Sequence, residues 1–101
     1  MDYKYYSDIF KVLSDPNRLK IIDILSCSEM CACNIIKFFN ITQPTFAHHM
    51  DILKKYDLVT CKKEGVWCKY KLNFEKYNEI KGIIAKLTSD KHECICKGLK
   101  E

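Results

Sequence analysis

The sequence predicts a mainly α-helical fold with a β-hairpin wing, a winged helix-turn-helix in the order ααααββα. Three observations predict it. Apolar residues recur at helical spacing up to Tyr56 and again beyond Phe74. Two helical segments within residues 30–56 are parted only by the brief break Asn40-Ile41-Thr42, the second with a polar outward face. Between residues 58 and 72 the period drops to two on either side of Glu64-Gly65.

Each element has local reasons. Tyr6, Ile9, Phe10 and Leu13 share helical spacing, so the first helix runs to about Leu13. Ser14-Asp15-Pro16 starts the second. Asp15 caps free backbone N–H groups, and Pro16 fits a first helical position that needs no N–H. This helix carries Leu19, Ile22 and Leu25 on one face and fades around Ser26-Cys27-Ser28. A short third helix lies within about Met30 to Phe39. Thr42 caps the fourth, with Pro44 in its first turn and Phe46, Met50 and Leu53 as its inward stripe. In the hairpin, Val59 and Cys61 alternate with Thr60 and Lys62, and Val66, Cys68, Tyr70 and Leu72 with Trp67, Lys69 and Lys71. Cys61 and Cys68 fall on the inward register and read as small buried hydrophobes. A last helix carries Tyr77, Ile80, Ile84 and Leu87. The polar tail, residues 90–101, holds Cys94 and Cys96. With no repeat and no linker, residues 1–101 read as one domain.

Composition narrows the function. A chain of 101 residues fits one domain, and its thin core gains from oligomerisation. With 48% apolar residues, 3 Gly and 2 Pro it is not a disordered or low-complexity chain. Its scattered glycines make no phosphate loop, and no Ser/His/Asp or Cys/His set has motif context. The expectation is therefore no enzyme, no organic cofactor and no small organic substrate. No signal-type run opens the chain, and no stretch approaches the roughly 18 apolar residues of a membrane span. That predicts a cytoplasmic protein with no membrane partner. The net charge of +4 permits a nucleic-acid partner, and a dimer doubles it. The 7 cysteines, an odd count, do not suit a secreted disulfide scaffold. Reduced thiols are expected, and with them soft-metal, metalloid or redox chemistry.

Two constellations carry that chemistry. Cys31-Ala32-Cys33 can bring two thiolates to one ion, and thiolates select Cd(II), Pb(II), Zn(II) or As(III). Residues two apart on a regular helix project to nearly opposite sides, because each turns about 100°. Both sulfurs then meet one ion only if the helix start is distorted, and ligation would strain this helix, which packs beside the recognition helix, favouring a conformation that fits DNA poorly. The second constellation is the outward face of the fourth helix, Gln43, Thr45, His48 and His49, with Lys62, Lys63 and Lys69 on or near the hairpin. Gln and Thr bond base edges, His meets a phosphate or base acceptor, and lysines meet phosphate. His49 lies beside the apolar stripe, where a histidine is often a packed residue.

These segments resemble the ArsR/SmtB metal-responsive repressors. SDPNRLKIIDIL is similar to that family's second-helix signature and EMCACNI to its ELCVCDL metal box. TQPTFAHHMDILKKYDLV resembles its recognition-helix segment and KKEGVWCKYKL its wing, all in the family's order from Ser14 to Leu72. The resemblance implies a cytosolic homodimeric repressor that binds double-stranded operator DNA when apo and releases it on binding a metal ion or arsenite. It implies DNA contacts at Gln43, Thr45 and His48. It also implies a dimer interface from the last helix and the aromatic first helix, with Tyr3, Tyr5, Tyr6 and Phe10.

The chain departs from the family at the third ligand. The arsenite-type box often has another Cys where Ile36 stands here. Cys27 is the preferred substitute; Cys94 or Cys96, from the same or the partner subunit, is the alternative. The cadmium/lead-type members' N-terminal extension has no counterpart. The zinc-type ligands on the last helix are missing too, since residues 74–87 contain no histidine and His92 stands beyond them. The resemblance thus implies As(III) as effector on three thiolates, with Cd(II) or Pb(II) as alternatives if four gather. A thiol-redox-sensing repressor on the same scaffold is a further reading. A structural zinc-binding interaction module is weaker, because no C-x-x-C knuckle exists.

Overall fold

Asp15 opens a helix as its position dictates. Its carboxylate accepts hydrogen bonds from the backbone N–H of Asn17 at 2.8 Å and of Arg18 at 3.2 Å. Pro16 takes the first helical position, so α2 (Pro16–Leu25) follows α1 (Tyr3–Leu13) after a two-residue corner. The computed structural model describes residues 1–89; His92, Cys94 and Cys96 lie outside the described residues. The order continues β1 (Met30–Cys31), α3 (Ala32–Ile35), a 3₁₀ turn (Ile36–Phe38), α4 (Gln43–Lys55), β2 (Val59–Glu64), β3 (Trp67–Leu72) and α5 (Phe74–Thr88).

This is the expected winged helix-turn-helix, with one added strand. The segment from Met30 does not begin as a helix. Met30 and Cys31 are extended and pair antiparallel with β3, Met30 opposite Tyr70 and Cys31 opposite Lys69. The sheet order is β1-β3-β2. β2 and β3 run in register from Val59 opposite Leu72 to Glu64 opposite Trp67. The two-residue loop between them has positive φ at Gly65 (63°) and not at Val66, the type II′ arrangement. Val66 therefore stands in the turn, 92% exposed, and not on the inward register.

The core sits where α1, α2, α4 and the sheet meet. Ile9, Ile21, Leu25, Ile35, Met50, Leu53 and Leu58 are the largest side chains sealed within it. Each such burial is worth about 1.5–3 kcal/mol. On α2 the buried pair is Ile21 and Leu25, an i, i+4 stripe, while Leu19 is 52% exposed and lies off the predicted face. Lys20 ties α2 to the turn before α4: its Nζ donates to the Phe38 carbonyl at 2.7 Å and lies 4.9 Å from the centre of the Phe39 ring.

α4 ends in a Schellman motif. Leu58 N–H donates to the Leu53 carbonyl at 2.9 Å and Asp57 N–H to that of Lys54 at 3.0 Å. Asp57 takes the left-handed φ of 60° that the motif requires. α5 returns beside α1: the Tyr6 hydroxyl donates to Glu79 Oε2 at 2.7 Å, and the buried Lys76 Nζ donates to the Tyr5 hydroxyl. No helix among the described residues is long and apolar enough to cross a membrane.

Candidate functional site

Thr42 sets the start of α4. Its Oγ1 accepts the Thr45 N–H at 3.3 Å, and its hydroxyl contacts the Thr45 hydroxyl at 3.0 Å. The first two turns of the helix then present Gln43, Thr45 and His48 to solvent, all three exposed. This is the polar face anticipated for base-edge contact.

His49 does not belong to it. Phe46, His49, Met50 and Leu53 are all buried, at i, i+3, i+4 and i+7, so His49 lies on the inward stripe with only 7% exposure. Arg18, which sequence reasoning missed, holds it there. The guanidinium has no acceptor, so Arg18 Nη1 donates to His49 Nδ1 at 3.1 Å and the imidazole proton sits on Nε2. Arg18 Nε donates in turn to the Val12 carbonyl at 2.7 Å. Burial holds the His49 pKa below the usual imidazole range; the Arg18 charge adds to this, and Asp15 opposes it.

The wing concentrates positive charge. Lys62 stands directly opposite Lys69, and Thr60 opposite Lys71, on one face of the hairpin. Lys63 is exposed on the other face, opposite Cys68. Like charges directly opposed weaken a sheet. Lys62 has only a loose exposed partner, Glu64 at 3.9 Å, a kind of pair worth little. Among the described residues the pairing has no stabilising rationale; a phosphate laid across the face would relieve it.

The thiols differ from expectation in two respects. First, four of them are paired: Cys31 with Cys33 and Cys61 with Cys68 as disulfides. Cys61 and Cys68 are half-buried against the core, as their register predicts, but they are also diagonal neighbours on adjacent strands with Cα atoms 6.1 Å apart, within disulfide reach. Second, no helix distortion is needed at Cys31-Ala32-Cys33. Cys31 is the extended N-cap residue of α3, at φ −77° and ψ 153°, and Cys33 is in the first helical turn. The strand-to-helix corner turns both sulfurs to one side, with Cα atoms 5.5 Å apart.

Cys27 is exposed and free, and it does not join this pair. Among the described residues no three His, Cys, Asp or Glu side chains gather into a group that could hold a metal ion. Cys33 lines two grooves. One, of about 310 Å³, has Gln43, Phe46 and Ala47 of α4 as its far wall. The other, of about 460 Å³, is shared by Cys31 and Cys33 with Trp67, Lys69, Lys37 and Glu64. Trp67 was not singled out from the sequence; only the register of β1 on β3 brings it beside the thiols.

Residues 15–60 match the profile of the bacterial regulatory proteins of the arsR family. The chain is 44% identical to the arsenical resistance operon repressor of Staphylococcus xylosus, over 99% of this chain and 96% of that one. It is 41% identical to the repressor of the same description from Staphylococcus aureus, over the same 99% and 96%. The solved structure of an ArsR-like transcriptional regulator from Rhodococcus sp. RHA1 superposes with a TM-score of 0.75 at 21% identity. That superposition covers 84% of this chain and 80% of that one, and the likeness is one of fold.

Proposed function

The chain belongs to the arsR family of bacterial regulatory proteins, and on that premise we propose that it represses an arsenical-resistance operon and leaves its operator when As(III) binds Cys31 and Cys33. One observation carries the reading: the thiol pair sits at the junction of the two DNA-facing elements. Cys31 is in ladder register with Lys69 of the wing, and Cys33 shares a groove with Gln43 at the start of α4. A ligand that draws the two sulfurs onto one atom acts on both elements at once. It moves the DNA equilibrium only by its differential affinity for the two conformations, tenfold for each 1.4 kcal/mol or so.

The reduced pair supplies two thiolates to As(III). The third comes from Cys94 or Cys96, of the same or the partner subunit; Cys27 serves only if its loop moves. Gln43, Thr45 and His48 read base edges, and Lys62, Lys63 and Lys69 neutralise phosphate. The protein works in the cytoplasm as a homodimer, so that two α4 helices meet successive turns of a palindrome. Among the described residues the side chains of Ile84 and Leu87, one turn apart on α5, are about half exposed, which supports that assembly.

A second reading rests on the two cysteine pairs. Peroxide would oxidise two thiols to a disulfide with release of two waters, making the chain a redox sensor. Anisotropy of a labelled fragment of its own promoter, titrated with arsenite, Cd(II), Pb(II), Zn(II) and peroxide, separates the readings. Release by arsenite at the lowest concentration supports the first; release by peroxide alone replaces it with the second.

A further inference from the structure

Cys61 and Cys68 stand on the hairpin face that looks to the core, half-buried against it, and take no part in the proposed arsenite site. Their place in the ladder gives them another use. Cys61 is opposite Tyr70 and Cys68 is opposite Lys63, and the rung between these two is Lys62 opposite Lys69. The two sulfurs therefore span that rung diagonally on one face, while its lysines project from the other. The Cα atoms are 6.1 Å apart at a sequence separation of 7, so a bond between the sulfurs closes the outer hairpin and ties no other element.

We propose that Cys61 and Cys68 are a redox clamp on the wing, whose disulfide pins the Lys62–Lys69 rung and makes the oxidised chain bind operator DNA more tightly than the dithiol. The proposal rests on the reading of that rung as a phosphate contact and adds regulation to it. In the dithiol form the opposed ammonium groups push the strands apart. A phosphate then meets both lysines only after they are brought back together, and that ordering is subtracted from the binding energy. The disulfide holds the rung in place beforehand. An oxidant thus acts on this pair in the opposite sense to arsenite at Cys31 and Cys33.

The oxidant is a hydroperoxide, small enough to reach half-buried sulfur. Two Cys–SH and H₂O₂ give Cys–S–S–Cys and two waters. One sulfur attacks the O–O bond, which breaks to leave a sulfenic acid and the first water. The second sulfur then displaces the sulfenic hydroxyl, forming the S–S bond and the second water. Both thiol protons end in water, the sulfurs are oxidised and the peroxide oxygens reduced. A disulfide in a reducing compartment is transient, as a switch has to be.

A chain carrying Cys27→Ser, Cys31→Ser, Cys33→Ser, Cys94→Ser and Cys96→Ser keeps the wing pair alone. It is reduced with a phosphine, freed of it without air, and oxidised in part of the sample with hydrogen peroxide; intact mass verifies the loss of two hydrogens. Affinity for a labelled fragment of its own promoter is read by anisotropy. The oxidised form should bind about two- to fivefold more tightly, the worth of one cross-strand pair, and phosphine should reverse the gain. Adding Lys62→Ala should abolish the gain and raising the salt should shrink it, because both remove the repulsion. In the otherwise unchanged chain, Cys61→Ser with Cys68→Ser should subtract the same increment from the response to peroxide.

Equal or weaker binding by the oxidised form, or a gain that survives Lys62→Ala at full size, overturns the inference and leaves the arsenite reading intact. Lys62→Ala without effect on operator affinity or its salt slope in the reduced chain overturns the underlying reading of the rung.

Discussion

Cys31 lies directly opposite Lys69 in the β1–β3 ladder. One of the two thiols is thereby a backbone neighbour of the wing, while Cys33, just past the corner, faces the start of α4. The structure thus replaces a strained helix, expected from the C-x-C spacing, with a strand-to-helix corner that joins the thiol pair to the wing and to the start of α4. A corner of this kind holds both sulfurs together at no cost to helical hydrogen bonding.

The proposed DNA-binding role of the wing predicts opposite effects on stability and on operator affinity. Lys62 and Lys69 repel across the ladder. Lys62→Ala is expected to leave thermal stability unchanged or raise it by a few tenths of a kcal/mol. The same change should weaken operator binding and reduce the slope of log K against log salt by about 1. Calorimetric melting and a salt series of anisotropy titrations check the two halves separately.

His49 gives stability a pH dependence of definite sign. Burial keeps its imidazole neutral in the folded chain, whereas the unfolded chain takes up a proton near pH 6.5 or so. Below that value the unfolded state binds more protons, so stability falls as pH drops from 7 towards 5. Protonation at Nδ1 would also remove the acceptor for Arg18. Denaturant melts across this window should show the decline, and His49→Gln should flatten it.

The positive φ of Asp57 makes the end of α4 selective about side chains. Asp57 is exposed, so substitution tests the backbone and not the packing. Asp57→Val should cost about 1–2 kcal/mol because a β-branched residue resists the left-handed region. Asp57→Gly should be neutral or stabilising. Urea midpoints of the two variants decide this.

Tyr77 carries a buried hydroxyl with no hydrogen-bond partner among the described residues, and burial pushes its pKa upward. Removing an unsatisfied buried polar group relieves a desolvation cost of about 1–3 kcal/mol. Tyr77→Phe should therefore raise the melting temperature, with no loss of helix signal.

What was legible in the sequence was what short-range chemistry dictates. Asp15-Pro16 and Thr42 with Pro44 mark helix starts because caps act within one turn. Glu64-Gly65 marks the hairpin because only glycine takes its φ without strain. The misplacements have non-local causes. Met30 and Cys31 are extended because a distant strand offers its edge, and nothing within the segment announces that. His49 was half legible: the sequence placed it beside the stripe of Phe46, Met50 and Leu53 as a residue often packed there, yet also counted it with the DNA face, and the structure puts it on the stripe. Cys61 and Cys68 read correctly as inward-facing, while their pairing depended on the diagonal of the ladder.

The central claim is that ligand binding at Cys31 and Cys33 is what releases DNA. The direct measurement is operator affinity, by anisotropy in the presence of a phosphine reductant, for wild type, Cys31→Ser and Cys33→Ser, each with and without arsenite. The account predicts that all three bind the operator alike without arsenite and that only wild type lets go when it is added. Normal release by either serine variant would contradict it.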